Sequence, residues 1–258
     1  MRPVLWQYTF SNFNEKARWA LDYKGIVHER RSLLPGGARA LWLSARGTIP
    51  VLDLDGERIV DSTRIIEALE RLKPEPRLYP ADPDERRRAL ALEDFFDEHA
   101  GHELRRAAFY EARDAPAYIA GILATGRGGA TRAALRATLP VAMTYARRRY
   151  RIYPDDAREA RAMVAAALDR IEAELQPSGY LVGDRFSVAD LTAAALLFPL
   201  AEPPELQYPF PERRPERLER WIASLSAHPA VAWIGRMYRE HRGSSMATDR
   251  LPSTSGRA

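Results

Sequence analysis

Residues 47–63, GTIPVLDLDGERIVDST, contain the signals that decide the fold of the chain. The run Val51 to Leu54 has strand character, Asp55-Gly56 is a two-residue hairpin signal, and Arg58 to Val60 supplies the returning strand. Asp61-Ser62 then caps a helix whose apolar face runs from Ile65 to Leu72. The stretch therefore predicts an antiparallel β-hairpin that leads directly into an amphipathic helix.

The sequence before this stretch alternates between strand and helix. Val4 to Tyr8 predicts a strand, the segment after Ser11-Asn12 predicts a helix that ends at Gly25, and Val27 to Leu34 predicts a second strand. A Pro-Gly-Gly break then precedes a short helix around Trp42. The order βαβαββα favours two parallel strands joined by a helical crossover, with antiparallel strands added by the hairpin.

The sequence after the hairpin unit predicts a proline-rich linker and then helices alone. We expect an α/β domain over 1–75, a linker over 76–83, an all-α domain over 84–242 and a disordered tail over 243–258. Ser187 and Asp190 have the spacing of a capping box, and they begin a helix that is apolar all round from Leu191 to Leu197. That helix is expected to be buried.

Composition excludes several classes of function. The 258 residues include no Cys, so the chain forms no disulfide and no thiolate metal site, and its own residues provide no thiolate nucleophile. The 39 basic and 35 acidic residues almost balance, which predicts no nucleic-acid partner. No segment has the apolar length of a membrane span or the pattern of a signal peptide, so a cytoplasmic protein with no membrane partner is expected.

Four stretches, in this order and spacing, resemble the glutathione transferase superfamily. They are residues 11–18 (SNFNEKAR), 47–52 (GTIPVL), 61–63 (DST) and 183–190 (GDRFSVAD). The resemblance covers positions from about 4 to 240. It implies a thioredoxin-like N-terminal domain, an all-helical C-terminal domain and an enzyme of the transferase class that uses glutathione as co-substrate. It also implies a homodimer and a role in detoxification.

The resemblance further implies where glutathione binds. The Ile49-Pro50 bond would be cis, which would turn the Ile49 N–H and C=O toward an extended peptide ligand, as when a strand is added to a sheet edge. Ser62 would take the γ-glutamyl α-carboxylate at a helix N-terminus, where free N–H groups favour an anion. Asp61 would face the α-amine, although a simple cap of the same helix predicts the same residue types.

Ser11 is the residue that the resemblance assigns to thiol activation. A thiol with the free cysteine pKa of about 8.5 is roughly 3% ionised at pH 7, so a group that stabilises the thiolate increases the supply of nucleophile. The Ser11 hydroxyl would donate a hydrogen bond to the sulfur without being a nucleophile itself. Tyr8 is the alternative donor, and a simple helix cap is the alternative role for Ser11.

The contacts to the rest of the ligand are less well defined by the sequence. Residues 44–48 depart from the family pattern, and Arg39 or Arg46 would take the glycine carboxylate in place of the usual residues. Aromatic residues would line an apolar electrophile site, among them Phe13 and Tyr110, with core packing as the competing role. These aromatic candidates are Phe10, Phe13, Phe109, Tyr110 and Tyr145.

Other interpretations compete with the enzyme hypothesis. His99 and His102 are three residues apart among acidic side chains, yet surface charge explains them equally well and no metal is expected. No phosphate-binding glycine motif is present, so no nucleotide is expected. The alternatives that remain are a noncatalytic interaction protein of the same fold and an enzyme that uses a different low-molecular-weight thiol.

Overall fold

The computed structural model describes residues 2–211 and 213–248 and has the predicted order of elements. The N-terminal part contains β1 (Val4–Gln7), α1 (Asn12–Tyr23), β2 (Glu29–Ser32), α2 (Ala38–Leu43), β3 (Val51–Leu54), β4 (Glu57–Val60) and α3 (Ser62–Leu72). The strands form one sheet in the order β2-β1-β3-β4, with β1 parallel to β2 and antiparallel to β3. The prediction of a crossover unit followed by a hairpin is confirmed.

The register of the sheet places the site loops at one end. Trp6 pairs with Val51, so the loop after β1 and the loop before β3 leave the sheet side by side. Val51 also pairs with Val60, which brings the start of α3 to the same end. The three segments of the predicted site therefore share one edge of the domain.

The rest of the described chain is helical. It contains α4 (Pro83–Phe95), α5 (His102–Glu111), α6 (Pro116–Leu123), α7 (Gly129–Arg149), α8 (Pro154–Glu174), α9 (Val188–Ala201), α10 (Glu216–Leu225) and α11 (Pro229–His241). Helix α9 is almost entirely buried, as its uniformly apolar sequence predicts. Its capping box is present, with the Asp190 carboxylate accepting from the Ser187 N–H at 2.9 Å. The fold is an α/β thioredoxin-like domain followed by an all-α domain.

Two segments of the helical part lack α-helical geometry. Residues 96–101 form a π-helical segment between α4 and α5. At Gly101 an added Cβ would lie 2.8 Å from Phe13 Cζ, so α1 packs too closely here for a larger residue. Residues 178–183, in the connection from α8 to α9, form turns and bends. The domain boundaries at 75 and 84 stay a prediction.

The first part of the predicted disordered tail contacts the sheet. The Met246 N–H donates to Asp22 at 2.8 Å, and the Thr248 N–H donates to the His28 carbonyl at 2.9 Å. Arg242, fully buried, donates to Glu15 at 2.6 Å just before this segment. Residues 243–248 thus differ from the expectation, and the remainder of the predicted tail, 249–258, lies outside the described residues.

Candidate active site

The loop between β1 and α1 is held by a buried arginine. Arg18 is 1% exposed and donates to Gln7 Oε1 at 2.8 Å, to the Thr9 carbonyl at 3.2 Å and to Glu15 at 2.8 Å. A buried guanidinium needs several acceptors, and here the loop itself provides the carbonyls of Tyr8 and Thr9. Arg18 therefore fixes the backbone that carries Tyr8 and Ser11.

Ser11 is the N-terminal cap residue of α1, and its hydroxyl does not cap the helix. Its backbone is extended, with φ −82° and ψ 130°, and its side chain makes no hydrogen bond with any described residue. The Ser11 N–H donates to the Tyr8 carbonyl at 3.3 Å. A half-buried hydroxyl at the positive end of a helix, with its hydrogen free, is able to donate to an anion.

Tyr8 lies on the same loop with its ring stacked on Phe10, the ring centroids 5.8 Å apart. Burial, together with the nearby Tyr150, raises the pKa of the Tyr8 phenol to about 12. The phenol therefore stays protonated at neutral pH and keeps its hydrogen for donation. Both candidate activators are thus competent donors.

Asn14 connects this loop to the predicted peptide-binding edge. Its Oδ1 accepts from the Tyr8 N–H at 3.2 Å, and its Nδ2 donates to the Ile49 carbonyl at 3.3 Å. The Ile49-Pro50 bond is cis, as the resemblance implies. The Ile49 carbonyl was expected to face a ligand, but it already accepts one hydrogen bond from within the chain, whereas its N–H has no acceptor among the described residues.

At the start of α3 the Asp61 carboxylate caps the helix, whereas the two donors of Ser62 have no partner among the described residues. Asp61 Oδ1 accepts from the N–H groups of Thr63 and Arg64 at 2.9 and 3.4 Å, so Asp61 caps the helix. Its backbone has φ 89°, a conformation that non-glycine residues adopt at an energetic cost and that clusters at functional sites. Ser62 is 2% exposed, and neither its N–H nor its hydroxyl is bonded to a described residue. These two donors suit a carboxylate.

A buried charge cluster that sequence reasoning missed lies behind Ser62. The Lys16 ammonium is fully buried and lies 2.8 Å from Glu93, 2.7 Å from Asp97 and 2.9 Å from the Thr63 hydroxyl. The two carboxylates raise the pKa of Lys16 against the effect of burial, and burial raises the pKa of Glu93. The cluster joins α1, α3, α4 and the π-helical segment.

The sequence did contain a signal for this cluster. Lys16 is three residues after Phe13 and four before Ala20, so it falls on the apolar stripe of α1 where a charge requires a partner. Asn14 has no comparable signal, because its two partners come from different parts of the chain. The neighbouring Asn12 is bonded within the chain, because its amide donates to the carbonyls of Gly101 and Leu196, both at 3.1 Å.

The two candidate arginines for the glycine carboxylate are in different surroundings. The Arg39 guanidinium lies 4.7 Å from the Trp6 ring and 4.8 Å from the Trp42 ring, and it has no ion pair with a described residue. Arg46 is exposed and makes no contact of this kind. Stacking restricts the motion of Arg39 and leaves its in-plane N–H groups free for a carboxylate.

The aromatic candidates differ in their burial: some are half-buried, one packs on the core and one is exposed. Phe13 is half-buried and packs against His102, with ring centroids 4.7 Å apart. Tyr110 is half-buried and stacks with Arg113 at 4.0 Å. Phe109 packs on the main hydrophobic core, and Tyr145 is 71% exposed on α7. Phe13 is therefore the aromatic candidate with the most direct connection to the Ser11 loop.

Metal ions and membranes are two further partner types that the described residues bear on. No group of three or more His, Asp or Glu side chains in 2–211 and 213–248 is arranged to hold a metal ion. Within the same ranges, no helix combines the length and apolar character needed to cross a membrane.

Comparison with known families gives the identity of the fold. The family of N-terminal glutathione S-transferase domains matches residues 5–77, and the family of C-terminal glutathione S-transferase domains matches residues 132–224. The chain belongs to the glutathione transferase superfamily. The resemblance found in the sequence is thereby confirmed, together with the two-part fold that it implies.

Similar proteins of known name include isomerases. The maleylacetoacetate isomerase of Mus musculus is 36% identical over 92 residues, which is 33% of this chain and 43% of that protein. The maleylpyruvate isomerase of Ralstonia sp. is 33% identical over 93 residues, 34% of this chain and 44% of that protein. The chain thus matches less than half the length of these curated relatives.

Similar solved structures cover the whole chain at low identity. A glutathione S-transferase of Methylobacterium radiotolerans, in complex with glutathione sulfonate, has a TM-score of 0.62 at 21% identity and covers 100% of both chains. A maleyl pyruvate isomerase, described as a bacterial glutathione S-transferase of the Zeta class, has a TM-score of 0.56 at 21% identity and covers 92% of both. At these identities the likeness establishes the fold.

Proposed function

We propose that the protein is a glutathione-dependent enzyme that activates the bound tripeptide thiol as a thiolate for attack on a small electrophile. The observation that carries the proposal is the pair of unused donors on Ser62, held at the N-terminus of α3 at the same sheet edge as Ile49 and Ser11. A noncatalytic scaffold needs neither a nearly buried serine with free donors nor a free hydroxyl on the adjacent loop. The relatives that are named as isomerases and as glutathione S-transferases support the same class of chemistry.

Glutathione would lie along this edge in an extended conformation. The α-carboxylate binds the Ser62 N–H and hydroxyl, and the second Asp61 carboxylate oxygen, which makes no bond to a described residue, faces the α-amine. The peptide pairs with the free Ile49 N–H beside Pro50. Arg39, which lies over the rings of Trp6 and Trp42, takes the glycine carboxylate in preference to the unrestrained Arg46.

The chemical step requires a thiolate at the Ser11 loop. The thiol releases its proton to solvent, and the sulfur then forms a bond to the electrophilic carbon. With an electrophile that carries a leaving group, the bond to that group breaks and its electron pair departs with it. With an activated double bond, the π bond breaks, its electron pair moves onto the activating carbonyl, and the resulting enolate takes up a proton from solvent. The Ser11 hydroxyl stabilises the thiolate by donating a hydrogen bond, with the positive end of α1 behind it. Tyr8 is the alternative donor.

Isothermal titration with glutathione tests the proposal directly. The wild-type protein is expected to give saturable heat at millimolar ligand or below. Ser62→Ala should weaken binding by roughly 10- to 100-fold, because hydrogen bonds to a charged group contribute about 1.5–3 kcal/mol. Ser226→Ala is the matched control, since that hydroxyl bonds only within the last turn of α10. Absence of saturable heat in the wild type would reject the proposal in favour of a noncatalytic protein or of another thiol.

We also propose that the protein acts as a homodimer in the cytoplasm and removes reactive electrophiles there. The cytosol maintains a large reduced glutathione pool. A groove of about 660 Å³ between α3 and α4 is lined by both signs of charge, with Glu67, Arg71 and Arg86 among its residues. Two copies could pair such a surface symmetrically. Light scattering of the wild type and of Arg86→Glu tests this, and a monomeric wild type would reject it.

A further inference from the structure

Helix α5 faces the loop that carries Ser11. The ring of Phe13, two residues after Ser11, lies 4.7 Å from the His102 imidazole. His102 Nδ1 is 3.1 Å from a terminal nitrogen of Arg105, one turn further along α5. The Arg105 side chain is therefore linked to the Ser11 loop through two successive side-chain contacts.

A second set of contacts connects Arg105 to the loop that carries Tyr8 and Ser11. The Arg105 guanidinium lies 4.4 Å from the centre of the Tyr150 ring. Tyr150 is near enough to Tyr8 to contribute to the raised pKa of its phenol. The Tyr8 carbonyl accepts the backbone hydrogen bond of Ser11, so Tyr150 lies near the loop that carries Ser11.

Arg105 is a mostly buried cation without an anionic partner. Its Nε is buried and has no hydrogen-bond acceptor among the described residues, and it has no carboxylate there within ion-pair distance. Burial and the positive charges of Arg149 and Arg106 lower the pKa of its guanidinium. A charge in such a position is unfavourable unless something compensates for it, and the described chain supplies the Tyr150 ring, His102 and, beyond ion-pair distance, the charge of Glu103, which is itself paired with Arg106.

The neighbouring arginine provides a direct contrast. Arg106 forms an ion pair with Glu103 and donates to the Tyr150 carbonyl at 3.0 Å, so its charge has an anionic partner within the chain. Arg105 uses the face of its guanidinium for stacking on Tyr150. One terminal nitrogen contacts His102, and the Nε–H and the remaining terminal N–H groups form a fork that matches the geometry of a carboxylate.

We propose that Arg105 binds a carboxylate of the electrophilic substrate, so that the second substrate of the enzyme is an organic acid. The inference rests on the proposed function and deepens it by naming the substrate class. The carboxylate takes the place of the missing anionic partner, and the Tyr150 stack fixes the plane of the fork. The electrophilic carbon is then directed toward the sulfur at Ser11. Arg105 is a specificity-determining residue in this arrangement, and Ser11 remains the thiol activator.

The test compares an acid with its methyl ester. The probes are 4-oxo-4-phenylbut-2-enoic acid and its methyl ester, both of which accept a thiolate at the double bond, with each rate divided by its uncatalysed rate. The wild type should prefer the acid by roughly 10- to 100-fold in kcat/KM, the range expected for charge-assisted hydrogen bonds. Arg105→Gln should abolish the preference mainly through the KM of the acid, and Arg105→Lys should retain part of it. Arg106→Gln removes the same charge from the adjacent residue and should keep the preference.

A binding measurement separates this inference from the proposed function. The saturated analogue 4-oxo-4-phenylbutanoic acid has no double bond to react, so its titration into the protein with S-methylglutathione present reports binding alone. Wild type should bind the acid and not the ester, and Arg105→Gln should bind neither. If glutathione binds but acid and ester are used equally, the carboxylate assignment is wrong and the proposed function stands.

Measuring the pKa of the bound glutathione thiol tests whether the Arg105 charge acts on the sulfur instead of on the substrate. If Arg105 served the sulfur instead of the substrate, Arg105→Gln would raise the pKa of bound glutathione and would slow acid and ester alike. That pattern would overturn the inference. An unchanged thiol pKa together with loss of the acid preference supports it, and thermal melts of both variants check that the fold is retained.

Discussion

The Asn14 side-chain amide lies 3.3 Å from the Ile49 carbonyl, while its other end accepts from the Tyr8 N–H at 3.2 Å. One fully buried amide thus sets the spacing between the loop of the candidate activators and the edge proposed to bind the peptide. Both bonds satisfy backbone groups that have no other partner within the described chain. Asn14 is therefore a positioning residue for the whole candidate site.

Replacing Asn14 by Ala should lower both stability and glutathione affinity. Two buried backbone groups lose their partners, which costs about 1–3 kcal/mol each when water does not replace them. The free energy of unfolding in urea should fall by roughly 2–4 kcal/mol, and the KM for glutathione should rise about tenfold. Asn12→Ala is the control, since Asn12 bonds to Gly101 and Leu196. An equal loss of glutathione affinity in both variants would contradict a specific role for Asn14.

Removing the Ser11 hydroxyl should raise the pKa of the bound thiol. Ser11→Ala deletes a donor to the thiolate, and we expect the pKa to increase by about 1–2 units. The rate should therefore fall most at pH 6 to 7 and recover toward pH 9, where the thiol ionises without help. Ultraviolet titration of bound glutathione measures the shift. Tyr8→Phe should leave this pKa nearly unchanged, and the reverse result would assign activation to Tyr8.

The local sequence predicted the parts of the molecule that depend on local signals. The hairpin at Asp55-Gly56, the capping box at Ser187 and the buried helix from Leu191 follow from turn chemistry and from apolar periodicity, and the structure contains all three. The Ile49-Pro50 cis bond came from the family resemblance, because spacing alone favours the trans form. These features predict the framework of the site.

The remaining parts depend on contacts between distant residues. Asn14 acquires its role only when Ile49 is brought beside it, and the π-helical segment arises where Gly101 packs on Phe13. Neither is encoded in a short window of sequence. Residues 243–248 looked disordered by composition, yet Asp22 and His28 offer them hydrogen-bond partners. Composition describes a segment alone and cannot include the surface that it meets.

Asp190 should give the protein a distinct pH dependence of stability. Burial raises its pKa from 3.8 to about 6, although bonds from Leu181 and Ser187 oppose the shift. A raised folded pKa means that the native state binds the extra proton, so this stabilising contribution is complete below pH 4 and is lost as the pH rises through 6. The free energy of unfolding of the wild type, measured relative to that of Asp190→Asn, should therefore be roughly 2–3 kcal/mol lower at pH 7 than at pH 4. Urea unfolding at pH 4 and 7 measures it, and a constant difference would show that the pKa is not raised.

Removing the buried ammonium of Lys16 should destabilise the protein in a pH-dependent way. Lys16→Met leaves Glu93 and Asp97 without their cation, and breaking a buried ion pair by removal of one partner costs about 3–5 kcal/mol. The pKa of Glu93 is already above its ordinary value, and without Lys16 it should rise further. The native state would then bind a proton that the unfolded chain releases, so stability should fall as the pH increases from 5.5 to 8.

Urea unfolding of Lys16→Met at both pH values checks the sign, and the double variant Lys16→Met/Glu93→Gln should recover part of the loss and flatten the pH dependence. Lys24→Met is the matched control, because that buried ammonium contacts one carboxylate, Glu70, and two backbone carbonyls. Its loss of stability should depend less on pH, since Glu70 is partly exposed and can be hydrated. A Lys16→Met variant whose stability is the same at pH 5.5 and 8 would mean that Glu93 stays ionised, or is solvated, once its partner is gone.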